Sequence, residues 1–266
     1  MKHVAIIGYG AIARYVMTAI AERDDLSLCG IIGRAGRLED ARACAPDTVA
    51  IADAVGGLPQ RPDLVLDCAG HAGLRDHGPD ILAAGIDLYS VSAGALADAA
   101  LHDALSAAAR RGRAALRIVS GAIGGLDILG AARQGGLTRV VYRGRKPPAS
   151  WRGTPAEDRI DLDAQGEAQV HFRGNARQAA ALYPKNANVT ASIALAGIGF
   201  DATEVELISD PACVENRHEL VAEGAFGSFA FQVSGRAMPD NPKSSALTAM
   251  SMVDTLLRLE DPIRIA

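Results

Sequence analysis

Between residues 3 and 120 the chain alternates short, almost wholly apolar runs with stretches whose apolar residues recur at helical spacing. The apolar runs are His3–Ile7, Leu26–Ile32, Leu64–Cys68, Ile86–Val91 and Ala115–Val119. Both alternating positions of each run are hydrophobic, as in strands that helices cover on both faces. The helical pattern falls on Ala11–Arg23, Leu38–Ala45, Gly73–Ala84 and Ala97–Arg111. Strand and helix in strict alternation predict βαβ units and a doubly wound parallel sheet, an α/β architecture.

After Gly121 the pattern changes. Arg139–Gly144, Ala168–Phe172, Thr203–Ser209, His218–Ala222 and Ser228–Ser234 alternate polar with apolar residues. That period of two predicts a second, α+β domain whose mainly antiparallel sheet has one wet face. Helices over Ala176–Leu182 and Val189–Ala196 would cover the other face. A final helical pattern, Ser245–Leu259, follows the polar Asp240-Asn241-Pro242 and is expected to pack back on the first domain. The resulting division is 1–120, 121–238 and 239–266, with Arg145–Asp163 read as a long surface loop.

Composition narrows the function class. The chain has 266 residues, enough for two modest cores, and no charge-free apolar run long enough to span a membrane. A net charge of -4 with scattered Lys and Arg offers no basic stripe for nucleic acid. Cys29, Cys44, Cys68 and Cys213 are far apart, which argues against a zinc site or a disulfide framework and for a reducing cytoplasm. The apolar start after Met1-Lys2-His3 is interrupted by Gly8, Gly10 and Arg14, so it reads as a strand and turn rather than a signal peptide.

Those interruptions are chemical. Gly8-Tyr9-Gly10-Ala11-Ile12-Ala13 is a GxGxxA directly after a strand and opening a helix. Gly8 permits the tight turn, Gly10 lets backbone approach a pyrophosphate, and Ala13 keeps helix and strand close. The first helical residues, Ala11 and Ile12, present unpaired N–H groups to an anion. This is the dinucleotide-binding fingerprint of a Rossmann domain. The second strand ends in Ile32-Gly33-Arg34, with no carboxylate for a ribose 2′-hydroxyl. Arg34 there suits a 2′-phosphate or stacks on adenine, so NADP is expected beside NAD. Cys68 and Ala69, in the small-residue loop after Leu64–Cys68, should border the cofactor, as should Ser92–Ala95.

The set Gly8–Ala13, Ser120–Asp127, Lys185–Ala191, Asn216–Glu219 and Asn241–Ser245, in that order, resembles the L-aspartate dehydrogenase family. The resemblance spans nearly the whole chain. It implies that Ala122 and Asn188 contact the cofactor and that His218 is the catalytic histidine. It also implies oxidation of L-aspartate by NAD or NADP, through iminoaspartate to oxaloacetate and ammonia, in a homodimer that feeds pyridine-nucleotide synthesis. Asn241–Ser251 alone is similar to homoserine dehydrogenases as well. A homoserine-type or other amino-acid dehydrogenase, or a dinucleotide sensor without catalysis, are the alternative readings.

The residues agree with the implied chemistry. Hydrolysis of an imine needs one group that deprotonates water and protonates departing ammonia, which a histidine does near neutral pH. His218 opens a strand among polar neighbours, whereas His171 sits in mid-strand. A dicarboxylate substrate needs a cation, for which Lys185, beside the paired asparagines, is the first candidate. No metal is expected.

Overall fold

A computed structural model describes residues 1–164, 166–239, 241–259 and 261–263; the side chains of Lys185, Pro242 and Lys243 lie outside that description. Two compact units divide at Val119/Ser120, and the chain rejoins the first unit from Thr248.

In the first unit the elements are β1 (Lys2–Ile7), α1 (Ala11–Ala21), β2 (Leu26–Ile32), α2 (Leu38–Cys44) and β3 (Ala50–Ala52). They continue with β4 (Leu64–Asp67), α3 (His71–Ala83), β5 (Asp87–Ser90), α4 (Ala99–Gly112) and β6 (Leu116–Ile118). All five strand pairings are parallel, in the order β3-β2-β1-β4-β5-β6. This is the doubly wound dinucleotide order, whose crevice opens between β1 and β4 at the strands' carboxyl ends.

Helix α1 buries Ala13, Val16, Met17 and Ile20, an i, i+3, i+4, i+7 stripe that lays one face on the sheet. Val4, Ile6, Ile31, Leu64 and Leu66 receive it in one core cluster. Met252 and Leu256 of the last helix complete the same cluster. Asp98 caps α4 by accepting from the Ala100 and Leu101 N–H groups, and Arg113 ends it in a left-handed conformation. The three-residue β3 is too short to leave a hydrophobic pattern in the sequence.

The second unit contains α5 (Leu126–Gly135), β7 (Leu137–Lys146), β8 (Gln169–Asn175), α6 (Ala176–Leu182) and α7 (Ala187–Ala196). There follow β9 (Glu204–Ser209), β10 (Asn216–Gly224), β11 (Gly227–Gly235), β12 (Ala237–Met238) and β13 (Asn241–Ser245), and then α8 (Ala246–Leu257). The large sheet runs β11-β10-β7-β9-β8; β7 and β9 are parallel and the other pairs antiparallel. Helix α5 packs on β7 and β10, and α6 on β8 and β9.

The alternation assigns the faces. His218, Leu220, Ala222, Tyr142 and Val140 are buried on one side, while Arg139, Arg143 and Glu219 lie on the other. That open side carries ion pairs, Arg139 to Glu204 at 2.9 Å and Arg143 to Glu206 at 2.9 Å. Such half-exposed pairs contribute ~1 kcal/mol or less each, and they keep the uncovered face polar.

Two expectations need correction. Arg145–Asp163 is not wholly a surface loop: β7 runs on to Lys146, and a 3-10 turn, Pro148–Trp151, sinks Trp151 completely, its indole N–H donating to the Ile208 carbonyl at 3.2 Å. The glycine-rich Ser120–Asp127 segment leads into α5, a helix the sequence reading omitted, which buries only Leu129 and Ala132.

Candidate functional site

In the first unit the glycine turn is built by close approach. Gly8 has φ +92, and a Cβ there would lie 2.9 Å from the Ala69 Cβ. Thus Gly8 and Ala69, both expected at the cofactor, are brought together. The Gly8 N–H donates to the Ile32 carbonyl at 2.9 Å and the Cys68 N–H to the Ile7 carbonyl at 3.1 Å, which fastens the loop after β4 beside the turn.

Gly10 is different. It has φ −73 and ψ −171, which any residue adopts, and a Cβ on it would meet nothing within 4 Å. No fold constraint among the described residues requires glycine there. Helix α1 has no side-chain cap and no acid in its first turn, and its first backbone bond is Arg14 N–H to Gly10 carbonyl. The N–H groups of Ala11 and Ile12 are therefore left for an anion. The residues present fit a dinucleotide pyrophosphate.

Asp67 at the end of β4 is fully buried and organises the loops around this crevice. Its carboxylate accepts from the Ser90 hydroxyl at 2.6 Å and the Ala69 N–H at 3.0 Å, and the Ser92 N–H donates to Ser90 Oγ at 2.9 Å. Burial holds its pKa above the ordinary carboxylate value against those bonds. Burial likewise raises the Cys68 thiol, so Cys68 serves as a small wall residue rather than a nucleophile. Arg34, two residues past the end of β2, is exposed; its carbonyl accepts from the Arg37 N–H at 2.8 Å, and its side chain makes no hydrogen bond or ion pair among the described residues.

In the second unit the register places His218 of β10 opposite Gly144 of β7. Tyr142, two residues earlier on β7, leans past Gly144 so that its hydroxyl lies 2.8 Å from His218 Nδ1. A Cβ on Gly144 would fall 2.7 Å from that hydroxyl, so glycine at 144 leaves room for the contact. His218 is 5% exposed, and burial followed by the charge of Lys146 drives its pKa down to about 3. Burial raises the Tyr142 phenol above its ordinary value, so it remains a neutral partner. The pair therefore holds a neutral imidazole, and no hydrogen bond engages its Nε2 among the described residues.

Lys146 is on the same face, and sequence reading missed it. The residue is half-buried, its ammonium donating to Asn186 Oδ1 at 2.5 Å and lying 5.4 Å from the Trp151 ring centre. Burial lowers its pKa to about 8. The Trp151 ring meets His171 edge-on at 4.3 Å, and His171 Nδ1 lies 3.2 Å from the Tyr183 hydroxyl. His171 is also buried, its pKa lowered to about 4 by burial and then by Arg159. Ala122 is buried in the loop before α5, and Asn188 is the second residue of α7. The Lys185 side chain lies outside the described residues.

Neutral burial of His218 has a measurable consequence. An unfolded histidine protonates near pH 6.5, so between about 3 and 6.5 the unfolded chain binds more protons and stability falls as pH falls. Urea midpoints at pH 7.5 and 5.5 should show this loss, approaching ~1.4 kcal/mol per pH unit below 6.5 for this group. His218→Asn should have a shallower dependence; an unchanged slope refutes the buried neutral state.

Comparison with known proteins extends both units. Residues 127–259 match the family described as "Aspartate dehydrogenase, C-terminal", and residues 8–118 match "Homoserine dehydrogenase, NAD binding domain". L-Aspartate dehydrogenase of Ruegeria pomeroyi is 51% identical over 98% of this chain and 94% of its own length. The enzyme of Pseudomonas aeruginosa is 42% identical over 96% and 97%. The crystal structure of aspartate dehydrogenase from Thermotoga maritima superposes with a TM-score of 0.78 at 26% identity, covering all of both chains. The homoserine dehydrogenase match stops at residue 118, whereas the aspartate dehydrogenase relatives span both units. The chain belongs to the L-aspartate dehydrogenase family.

Proposed function

We propose that this chain oxidises L-aspartate with NAD or NADP to iminoaspartate, which water converts to oxaloacetate and ammonia. The observation that carries the reading is identity of 51% across both units to an L-aspartate dehydrogenase. When bound, the nicotinamide takes the hydride from the substrate's α-carbon. The protein's work is binding, orientation and proton transfer.

Gly8, Gly10, Ala11 and Ile12 receive the pyrophosphate, with Cys68 and Ala69 as a close-packed wall and Arg34 toward the adenosine. Ala122 and Asn188 are the further cofactor-contacting residues in this reading. His218 is the acid–base group: with Nδ1 engaged by Tyr142, its Nε2 takes a proton from the attacking water and returns one to the departing ammonia. Tyr142 is a positioning residue in this scheme, as a third group commonly orients a base. We place the protein in the cytoplasm as a homodimer supplying iminoaspartate to pyridine-nucleotide synthesis. No helix among the described residues is long and apolar enough to cross a membrane.

The deciding assay is NADH oxidation with oxaloacetate plus ammonium, against controls lacking each. Oxidation only in the complete mixture is expected; none in the complete mixture overturns the proposal.

Arg34 sets cofactor choice. Because no carboxylate stands at the end of β2, the parent protein should use NADP as well as NAD. Arg34→Asp should raise the KM for NADP by about 10-fold or more, as expected for loss of a charge-assisted hydrogen bond, and leave that for NAD nearly unchanged. Equal movement of both KM values would remove Arg34 from the 2′ position.

A further inference from the structure

Four arginines on the large sheet of the second unit each have a carboxylate partner. Arg139 pairs with Glu204, Arg143 with Glu206 and Glu219, Arg145 with Asp210 and Arg173 with Glu206. Lys146, the last residue of β7, is turned to the other face and has no carboxylate within ion-pair distance among the described residues. Asp210, just past the end of β9, donates its backbone N–H to the Lys146 carbonyl at 2.9 Å, but its carboxylate pairs with Arg145 at 2.8 Å. Among the described residues, the partners of the Lys146 ammonium are an amide oxygen at 2.5 Å and the face of Trp151.

An enclosed ammonium with neutral partners is a costly feature to keep, because burial removes hydration that no countercharge replaces. Its depressed pKa records that deficit. The missing partner is an anion. In the same unit, His171 Nε2 and Thr190 Oγ1 are buried with no hydrogen-bond partner among the described residues, polar atoms that a polar ligand would satisfy.

The register says which anion. His218 faces Gly144, and Lys146 lies two residues further along the same face of β7, a diagonal step of roughly 7–8 Å between backbones. The two side chains interact electrostatically, Lys146 lowering the His218 pKa. Proton transfer belongs at the α-carbon, where water adds and nitrogen leaves. A cation offset from His218 by one diagonal step therefore faces the far end of the same small molecule.

We propose that Lys146 is the seat of the substrate's side-chain carboxylate and thereby sets the preference for a four-carbon dicarboxylate. This rests on the proposed aspartate reaction, and it moves the substrate cation from Lys185 to Lys146. Asn186 fixes the ammonium through its 2.5 Å bond, and Trp151 supports it from the side. Arrival of the carboxylate supplies the absent countercharge, and it offsets the Lys146 contribution to the low His218 pKa, of which burial is the larger cause. Binding of the correct substrate thus raises the basicity of the acid–base group, whereas a monocarboxylate leaves it depressed.

The test compares L-aspartate with L-alanine in the parent, Lys146→Met and Asn186→Asp, with melting temperature and NADH titration as controls. Asn186→Asp keeps the lysine and sets a permanent carboxylate against it, so it decides the matter should Lys146→Met not fold. For both variants kcat/KM for L-aspartate should fall about 100-fold, the usual consequence of removing a partner from a buried polar group, while that for L-alanine changes little. Unchanged use of L-aspartate in the folded variants overturns the proposal. So does an equal loss with both substrates, which would make Lys146 a proton carrier or the seat of the α-carboxylate. Failure of the parent itself to use L-aspartate would instead refute the reaction, a result distinguishable from either.

Discussion

His218→Ala is expected to lower kcat for L-aspartate by about 10²–10⁴-fold, the range typical for a positioned acid–base group. Its NADH affinity should stay close to that of the parent, because the glycine turn lies on other elements. The geometry gives the reason. The imidazole is neutral, held at Nδ1 by the Tyr142 hydroxyl at 2.8 Å, and so is ready to accept a proton at Nε2. Tyr142→Phe removes the holding group without touching the imidazole, so it should lower kcat less than His218→Ala does. Gly144→Ala should mimic it, since the new methyl would displace the hydroxyl that lies 2.7 Å away. A purely structural histidine predicts another pattern: a lower melting temperature, with activity falling only as folded protein is lost. Measuring kcat, NADH affinity and melting temperature on the three variants separates these. Near-normal kcat in folded His218→Ala would end the assignment.

The first unit was legible because its determinants are local and periodic. Apolar runs doubly covered by helices, and glycines required by one turn, leave marks in a single stretch of chain. The candidate site in the second unit was legible only in part. Nothing in the spacing separates His218 from the equally buried His171; the family resemblance did that, and burial alone would have chosen both.

Lys146 escaped because Pro147-Pro148 and the charges after it read as a loop, so the strand was ended at Gly144. A signal was present. Tyr142, Gly144 and Lys146 continue the period of two on one face, with Arg143 and Arg145 on the other. The single tryptophan of the chain, standing in a polar segment, was a second sign that this stretch returns to the core. The Tyr142–His218 contact joins residues 76 positions apart and depends on strand register, which no local pattern specifies. Helix α5 escaped for the opposite reason: only Leu129 and Ala132 are buried, too few to print a helical period.

The two glycines of the turn should fail in different ways, and that difference tests cofactor binding apart from catalysis. Gly8→Ala forces a side chain into φ +92 and sets its Cβ 2.9 Å from Ala69, a strain of about 1–3 kcal/mol that lowers the melting temperature before any ligand is considered. Gly10→Ala meets neither difficulty. Its backbone is ordinary and its Cβ enters open space, so the change in stability should be at most about 1 kcal/mol, that of a poorer helix N-cap. Yet the methyl group occupies the space through which the pyrophosphate reaches the free N–H groups of Ala11 and Ile12. Loss of charge-assisted hydrogen bonds worth about 1.5–3 kcal/mol should raise the Kd for NADH on the order of 100-fold. Fluorescence titration with NADH beside thermal melts reads both quantities. If Gly10→Ala binds NADH as the parent does, the dinucleotide does not lie over this turn, because nothing else described in the fold gives residue 10 a reason to be glycine.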